Sequence, residues 1–227
     1  MRMRKKKHGA ERLAACAALL KEKPDAPIAS SYEDFGREAR LCAEIGCGKG
    51  GFACGRAGKY PDSCFYAVEK IENVMVIAVE KAMLRQNERP HDNLRFIVAD
   101  ATALPEWFMP HTLDAIYLNF SDPWPKKGHT KRRLTHRNFL LMYFRLLKEG
   151  GALYFKTDNR GLFDFTLEEL DAIGIKPDYV TYDLHNSTYN DGNVMTEYEE
   201  NFSSQGMPIH ALGVTVPHGF TTTDVTA

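Results

Sequence analysis

Residues 41–51 read L-C-A-E-I-G-C-G-K-G-G, and the order of residue types within them decides the fold. Five residues of buried-strand character run into a glycine-rich turn, and a helix is expected from about Phe52 onward. Glycines let a backbone approach a ligand closely, and a helix start offers free N–H groups. Strand, turn and helix together therefore form a nucleotide-binding candidate. Downstream the pattern recurs: residues 64–68 (C-F-Y-A-V) form a second strand ending in Glu69, and residues 73–89 a long helix packed through Val74, Ile77, Val79, Ala82 and Met83. An acid at the second strand tip, about 20 residues beyond the glycines, is placed to accept hydrogen bonds from ribose hydroxyls.

A third strand spans residues 94–98 and is followed by Asp100; a fourth spans residues 112–118, and Pro123 and Pro125 forbid its continuation. Thr135 is expected to cap a helix carrying Phe139, Met142, Tyr143, Leu146 and Leu147 at helical spacing, with Gly150-Gly151 as its stop. Residues 152–157 (A-L-Y-F-K-T) make a fifth strand ending at Asp158, and residues 162–173 a further helix. Residues 179–184 and 209–216 read as strands that pair as an antiparallel edge. Between them lie a polar stretch, 186–193, and a short helix near 197–204. Residues 1–40 are a basic arm, an amphipathic helix over 10–20 and a Pro-containing linker. Residues 41–216 form the main domain, and residues 217–227 a disordered tail.

At 227 residues and net charge −1, the chain suits a single domain and lacks the overall basic balance of a general nucleic-acid binder. Contact with nucleic acid must then come from local patches: residues 2–7 (R-M-R-K-K-K), which also read as a solvated terminus, and residues 126–133. The five cysteines contain no C-x-x-C pair and no histidines cluster at zinc-ligand spacing, so they read as reduced apolar fillers and no metal site is expected. Charged residues interrupt the Ala-rich N-terminal segment, and no stretch approaches a membrane span; a cytoplasmic protein is expected.

Gly46, Gly48 and Gly51 satisfy G-x-G-x-x-G, while Gly46, Gly48 and Gly50 satisfy G-x-G-x-G, so spacing alone leaves a dinucleotide and S-adenosylmethionine open. Three observations favour the latter. Glu44 lies within the strand, where it can reach an ammonium. Acids recur at strand ends (Glu69, Asp100, Asp122, Asp158), which suits a sulfonium and an ammonium better than a pyrophosphate. No dehydrogenase constellation is placed to use a nicotinamide. Taken singly, each of these acids reads equally well as a helix cap or loop carboxylate, but their shared edge argues for a site. A Walker-type loop is excluded, because Gly50 follows Lys49.

Residues 119–133, N-F-S-D-P-W-P-K-K-G-H-T-K-R-R, place Asp122 just past a strand end, beside Trp124 between two prolines and ahead of Lys126, Lys127, Lys131, Arg132 and Arg133. A flat aromatic with neighbouring cations suits a base and its phosphates.

With these motifs in hand, the chain resembles bacterial tRNA (guanine-N7-)-methyltransferases from its R-M-R-K start to about Leu212. The similarity is carried by A-E-I-G-C-G-K-G at 43–50, N-F-S-D-P-W-P-K-K-G-H at 119–129 with K-R-R at 131–133, F-K-T-D at 155–158, and T-E-Y-E-x-x-F-x-x-x-G at 196–206. The resemblance implies an α/β, Rossmann-like class I methyltransferase fold: a mostly parallel central sheet with an antiparallel C-terminal edge and helices on both faces. It implies S-adenosyl-L-methionine as methyl donor and the variable-loop guanosine of tRNA as substrate, for a monomer or homodimer. By position, Glu44, Glu69, Asp100 and Asp122 resemble the family's cofactor-contacting acids, beside Gly46 and Gly48, with Asp122 also in its catalytic position. Lys126, Asp158, Thr196, Glu197, Tyr198 and Glu199 resemble its substrate-binding positions. Gly128, His129, Thr130, Lys131, Arg132 and Arg133 align with its RNA-contacting segment, although Gly128 stands where a larger, often basic residue is common.

Guanine N7 has an in-plane lone pair and no proton to lose, so its methylation needs no general base. Positioning should supply most of the rate. Asp122 and an acid of the Thr196–Glu199 run are expected to orient guanine through its N1–H and N2–H and to stabilise the growing ring charge; alternatively Asp122 mainly holds the cofactor ammonium. Other readings are a methyltransferase of another base, whose N-P-P-[FYW] motif Asp122 interrupts, a non-catalytic RNA-binding protein retaining the fold, and a dinucleotide-dependent oxidoreductase.

Overall fold

The computed structural model describes residues 7–86, 92–217 and 219–220. The basic run at 2–6, the helix end expected at 89 and most of the 217–227 tail lie outside the described residues. A seven-stranded sheet has the order β3-β2-β1-β4-β5-β7-β6, and the chain divides into two compact units, Met1–Met109 and Pro110–Ala227.

In the first unit, a short helix α1 (Gly9–Ala14) gives way to a 3-10 turn at Ala17–Leu19. The helix expected over 10–20 therefore ends early. Leu19 is fully buried, and Leu20 forms a parallel bridge to Phe96, with the Lys21 N–H donating to the Phe96 carbonyl at 2.8 Å. Sheet pairing wins over helix propagation because a short helix is marginal without tertiary support. After α2 (Tyr32–Phe35) come β1 (Arg40–Ile45), α3 (Gly51–Lys59), β2 (Ser63–Glu69), α4 (Glu72–Gln86) and β3 (Leu94–Val98). All three strands run parallel, with Glu44 opposite Ala67 and Val68 opposite Ile97. Leu41 to Ile45 are all buried, as a parallel strand covered on both faces requires. Arg12 of α1 forks onto Glu80 of α4 at 2.7 and 2.6 Å, tying the N-terminal segment to this unit.

In the second unit, β4 (Leu113–Asn119) pairs in parallel with β5 (Leu147–Thr157), between them α5 (Arg137–Leu146); α6 (Arg160–Ala172), β6 (Tyr179–Thr181), α7 (Glu197–Ser203) and β7 (His210–Thr215) follow. β7 runs antiparallel to both β5 and β6, the expected antiparallel edge. Two local expectations are corrected. The cap of α5 is His136, whose ring nitrogen accepts from the Asn138 N–H at 3.2 Å; Thr135 is fully buried just ahead of it. Nor do Gly150 and Gly151 stop that helix. It ends at Leu146, and both glycines lie inside β5, where the strand advances five residues (Leu147 to Ala152) against two of β4 (Leu113 to Ala115). Gly150 has φ +72°, and a Cβ on Gly151 would sit 2.8 Å from the Lys148 carbonyl oxygen, so the pair serves an irregularity in the ladder. Phe220, at the start of the expected tail, packs edge-on against Phe144 at 5.8 Å. Among the described residues no helix is long and apolar enough to cross a membrane.

Candidate active site

The first unit holds the glycine turn. Gly46, Gly48 and Gly50 all have positive φ (+78°, +55°, +76°), the left-handed region that favours glycine. The Gly46 and Cys47 N–H groups donate to the Val68 carbonyl at 2.8 and 2.9 Å, so the turn is fastened to the end of β2. A Cβ at Gly50 would lie 2.9 Å from the Ala78 Cβ, whereas one at Gly48 would meet nothing within 4 Å. The turn is thus packed tightly on α4 at one glycine and open at the other.

Around it stand the acids expected from sequence. Glu44 is buried within β1. Glu69 ends β2, its carboxylate accepting from the Gly48 N–H at 3.2 Å and the Ile71 N–H at 2.9 Å, which fixes its orientation while leaving acceptor capacity for hydroxyl donors. Asp100 accepts from the Thr102 N–H and hydroxyl at 3.0 and 2.8 Å. The Thr102 backbone bond, aided by Lys70 at 3.7 Å, holds its pKa below the ordinary carboxylate value. Cys47, buried in the turn, has its thiol pushed well up, first by burial and then by Glu44 and Glu69, so it stays a neutral filler. An open glycine backbone flanked by three acids fits a ligand bearing ribose hydroxyls and an ammonium, and disfavours a pyrophosphate.

The second unit carries the Asp122 loop. Past β4, the Phe120 N–H donates to the Lys156 carbonyl at 2.9 Å, and Phe120 and Trp124 both adopt positive φ (+51° and +40°), an uncommon conformation for large side chains. Between them Asp122 is exposed. A 3-10 turn, Lys127–Arg132, follows. Lys126, Lys127, Gly128, Lys131 and Arg132 are exposed on it, while His129 and Thr130 are half-buried. The Arg132 guanidinium lies 5.1 Å from the centre of the Trp124 ring, and His129 meets that ring edge-on at 5.6 Å. Arg133 instead points inward: its Nε and Nη2 donate to the Pro123 and Trp124 carbonyls at 2.9 and 3.2 Å.

Phe120 also touches Tyr198 (ring centres 5.1 Å apart), and Tyr198 touches Phe202 at 4.3 Å, so the Asp122 loop and the first turn of α7 are neighbours. Tyr198 is half exposed; burial and then Asp158 raise its hydroxyl pKa. Thr196 and Glu199 form a capping box on α7, the Glu199 N–H donating to the Thr196 hydroxyl at 2.9 Å and Glu199 Oε2 accepting from the Thr196 N–H at 3.3 Å. Glu199 is fully buried and also accepts from Lys156 Nζ, from Asn193 Nδ2 at 2.9 Å and from His185 Nε2 at 2.8 Å. Burial alone would raise its pKa, but Lys156, His185 and Asn193 outweigh burial and hold it below the ordinary value. Lys156 further donates to the Val194 carbonyl at 2.8 Å, so one buried ion pair anchors the chain ahead of α7.

The structure therefore packs the loop that carries Asp122 on Tyr198 through Phe120, with Asp158 in electrostatic reach of the Tyr198 hydroxyl, and gives Glu199 partners for both its oxygens. Lys156, His185 and Asn193 were missed as site residues. The readable signal was a lysine inside the apolar strand A-L-Y-F-K-T, since a buried cation requires an acid.

The family model described as "Putative methyltransferase" matches residues 38–212. A tRNA (guanine-N(7)-)-methyltransferase of Listeria monocytogenes serotype 4b (strain F2365) is 44% identical over 212 residues, 93% of this chain and 97% of the relative. One from Lachnoclostridium phytofermentans is 48% identical over 181 residues, 80% of this chain and 83% of the relative. Among solved structures, the 16S rRNA methyltransferase KamB shares the fold with a TM-score of 0.62 at 13% identity, covering 87% of this chain and 95% of that one. An antibiotic-related methyltransferase does so at 0.59 and 18% identity, covering 81% and 90%. With its class I methyltransferase architecture and relatives matching across nearly its whole length, the chain belongs to the tRNA (guanine-N(7)-)-methyltransferase family.

Proposed function

We propose that this chain transfers the methyl group of S-adenosylmethionine to N7 of the variable-loop guanosine of tRNA, with Asp122 as the residue that orients the base. The observation that supports the reading of the site is that the loop carrying exposed Asp122, with positive φ at Phe120 and Trp124, packs through Phe120 on Tyr198, whose hydroxyl lies in electrostatic reach of Asp158. Carboxylates there can accept from guanine N1–H and N2–H, which leaves N7 unengaged and open to methylation. Tyr198 offers an aromatic face next to them.

S-adenosylmethionine, when bound, supplies an electrophilic methyl on a cationic sulfur. Glu44, Glu69 and Asp100 would hold its ammonium and ribose, with Gly46 and Gly48 lending the backbone. Asp122 and Asp158 would fix the guanine edge, and the negative charge of Asp122 would offset the positive charge that the ring gains as the methyl–sulfur bond gives way to the N7–methyl bond. Glu199 acts as a positioning residue through its hold on Thr196 and Lys156; Thr196, Glu197 and Tyr198 then meet the substrate from α7. Lys126, Lys131 and Arg132, flanked by Gly128, His129 and Thr130, face tRNA phosphates. The enzyme works in the cytoplasm as a monomer or homodimer.

The test is methyl transfer from labelled S-adenosylmethionine to unmodified tRNA with nucleoside analysis. Label should appear as 7-methylguanosine and vanish when the variable-loop guanosine is replaced; label persisting after that replacement overturns the assignment. Asp122→Asn should lower kcat about 100-fold, the order found when one charge-stabilising group is removed from a preorganised site.

A further inference from the structure

We propose that Arg133 is a positioning residue for methyl transfer, holding the Asp122 turn from within instead of binding a tRNA phosphate. The inference rests on the reading that Asp122 orients guanine. Residues 122–125 are D-P-W-P, and neither Pro123 nor Pro125 has an N–H with which to fix the turn by backbone bonds. Trp124 is held at φ +40°, a conformation that needs outside support. Arg133 supplies that support. Its Nε donates to the Pro123 carbonyl at 2.9 Å and its Nη2 to the Trp124 carbonyl at 3.2 Å, while the guanidinium carbon lies 4.3 Å from the centre of the Phe165 ring on α6.

A planar guanidinium makes this triple engagement and a lysine ammonium cannot, because only the fork presents two aligned donors while keeping a flat face for stacking. The donors committed to Pro123 and Trp124 are no longer free for bidentate capture of a phosphate. Lys131 and Arg132, by contrast, are exposed. The three cations of K-R-R thus have different roles. The first two are exposed, and the third donates to the two successive carbonyls that flank the Trp124 Cα, directly after Asp122.

The experiment compares Arg133→Lys, Arg133→Ala and Lys131→Ala in the full chain, by steady-state kinetics on tRNA at several salt concentrations. With two tryptophans in the chain, a Trp107→Phe background makes Trp124 the only indole, and its emission reports on the turn independently of activity. Arg133→Lys keeps the charge, so a phosphate contact would survive it. We expect it to lower kcat roughly 10- to 100-fold, the cost of a misplaced reacting geometry. KM for tRNA and its salt dependence should stay within about twofold, and Trp124 emission should shift. Lys131→Ala should do the reverse, raising KM and flattening the salt dependence with emission unmoved. Parental kcat and emission in Arg133→Lys, or a raised KM with a flattened salt dependence in Arg133→Ala, would overturn the proposal. Full turnover in Asp122→Asn would instead remove the role given to Asp122; the emission of Arg133→Lys would still decide whether Arg133 holds the turn.

Discussion

A single added methyl separates two glycines of the turn after β1. At Gly50 the new Cβ would lie 2.9 Å from the Ala78 Cβ and 3.2 Å from its Cα, on a backbone already at φ +76°. Left-handed strain and the clash against α4 add, so Gly50→Ala should cost about 2–4 kcal/mol of stability, read from the denaturant midpoint. Gly48→Ala meets open space at φ +55°. It should cost only about 1–2 kcal/mol yet weaken S-adenosylmethionine binding more than Gly50→Ala does per unit of lost stability, because its methyl occupies the room a ligand approaches through. Calorimetric titration of both variants checks the ordering. Gly128 is the opposite case: its φ is unexceptional, and an added Cβ meets nothing within 4 Å. Gly128→Arg should change stability by less than about 0.5 kcal/mol and tighten tRNA binding, steepening its salt dependence by about one phosphate contact.

At the scale of elements, α7 is held by charge more than by its own length of seven residues. Glu199 has a depressed pKa in the fold. A carboxylate with a lowered folded pKa contributes its stabilisation in full above its ordinary value of 4.5 and loses it as pH falls through the lower folded value. Wild type should therefore lose stability between pH 4.5 and that value, and Glu199→Gln should flatten this part of the profile. At neutral pH the same change leaves the Lys156 ammonium buried without its counter-charge, a loss of about 3–5 kcal/mol. Urea melts of both proteins from about pH 3 to 7 test the sign. Little of this anchor was legible in sequence: Lys156 and Glu199 lie 43 residues apart and His185 lies 14 from Glu199, and local pattern does not pair residues across such distances. Strands β1, β2 and β3 were legible because each is a short apolar run closed by glycine or an acid. The α5–β5 junction was misread for the converse reason. A Gly-Gly pair signals a helix stop as readily as a strand irregularity, and only the partner strand decides between them.

For the whole molecule, the decisive quantity is where the positive charge sits. Net charge is −1, so no long-range attraction to tRNA comes from the chain as a whole, and on the proposed reading steering comes from local basic patches, of which the loop after Asp122 lies among the described residues. There Lys126, Lys127, Lys131 and Arg132 are exposed, while Arg133 is committed to the Pro123 and Trp124 carbonyls. Four outward cations set a ceiling on the phosphate contacts this loop supplies. With about 0.7–0.9 counterions released per contact, log K for tRNA should fall with log salt at a slope near −3, so affinity drops roughly 1000-fold over a tenfold rise in salt. If S-adenosylmethionine is held as proposed, by neutral glycine backbone and a few acids of the first unit, its binding should show a far shallower dependence. Equilibrium binding of both ligands across a salt series measures the two slopes side by side. A tRNA slope near about −3 that flattens by about one unit in Lys131→Ala assigns the contacts to this loop. A slope much steeper than about −4 would place further phosphate contacts elsewhere, and removing residues 1–6 would then show whether the R-M-R-K-K run supplies them.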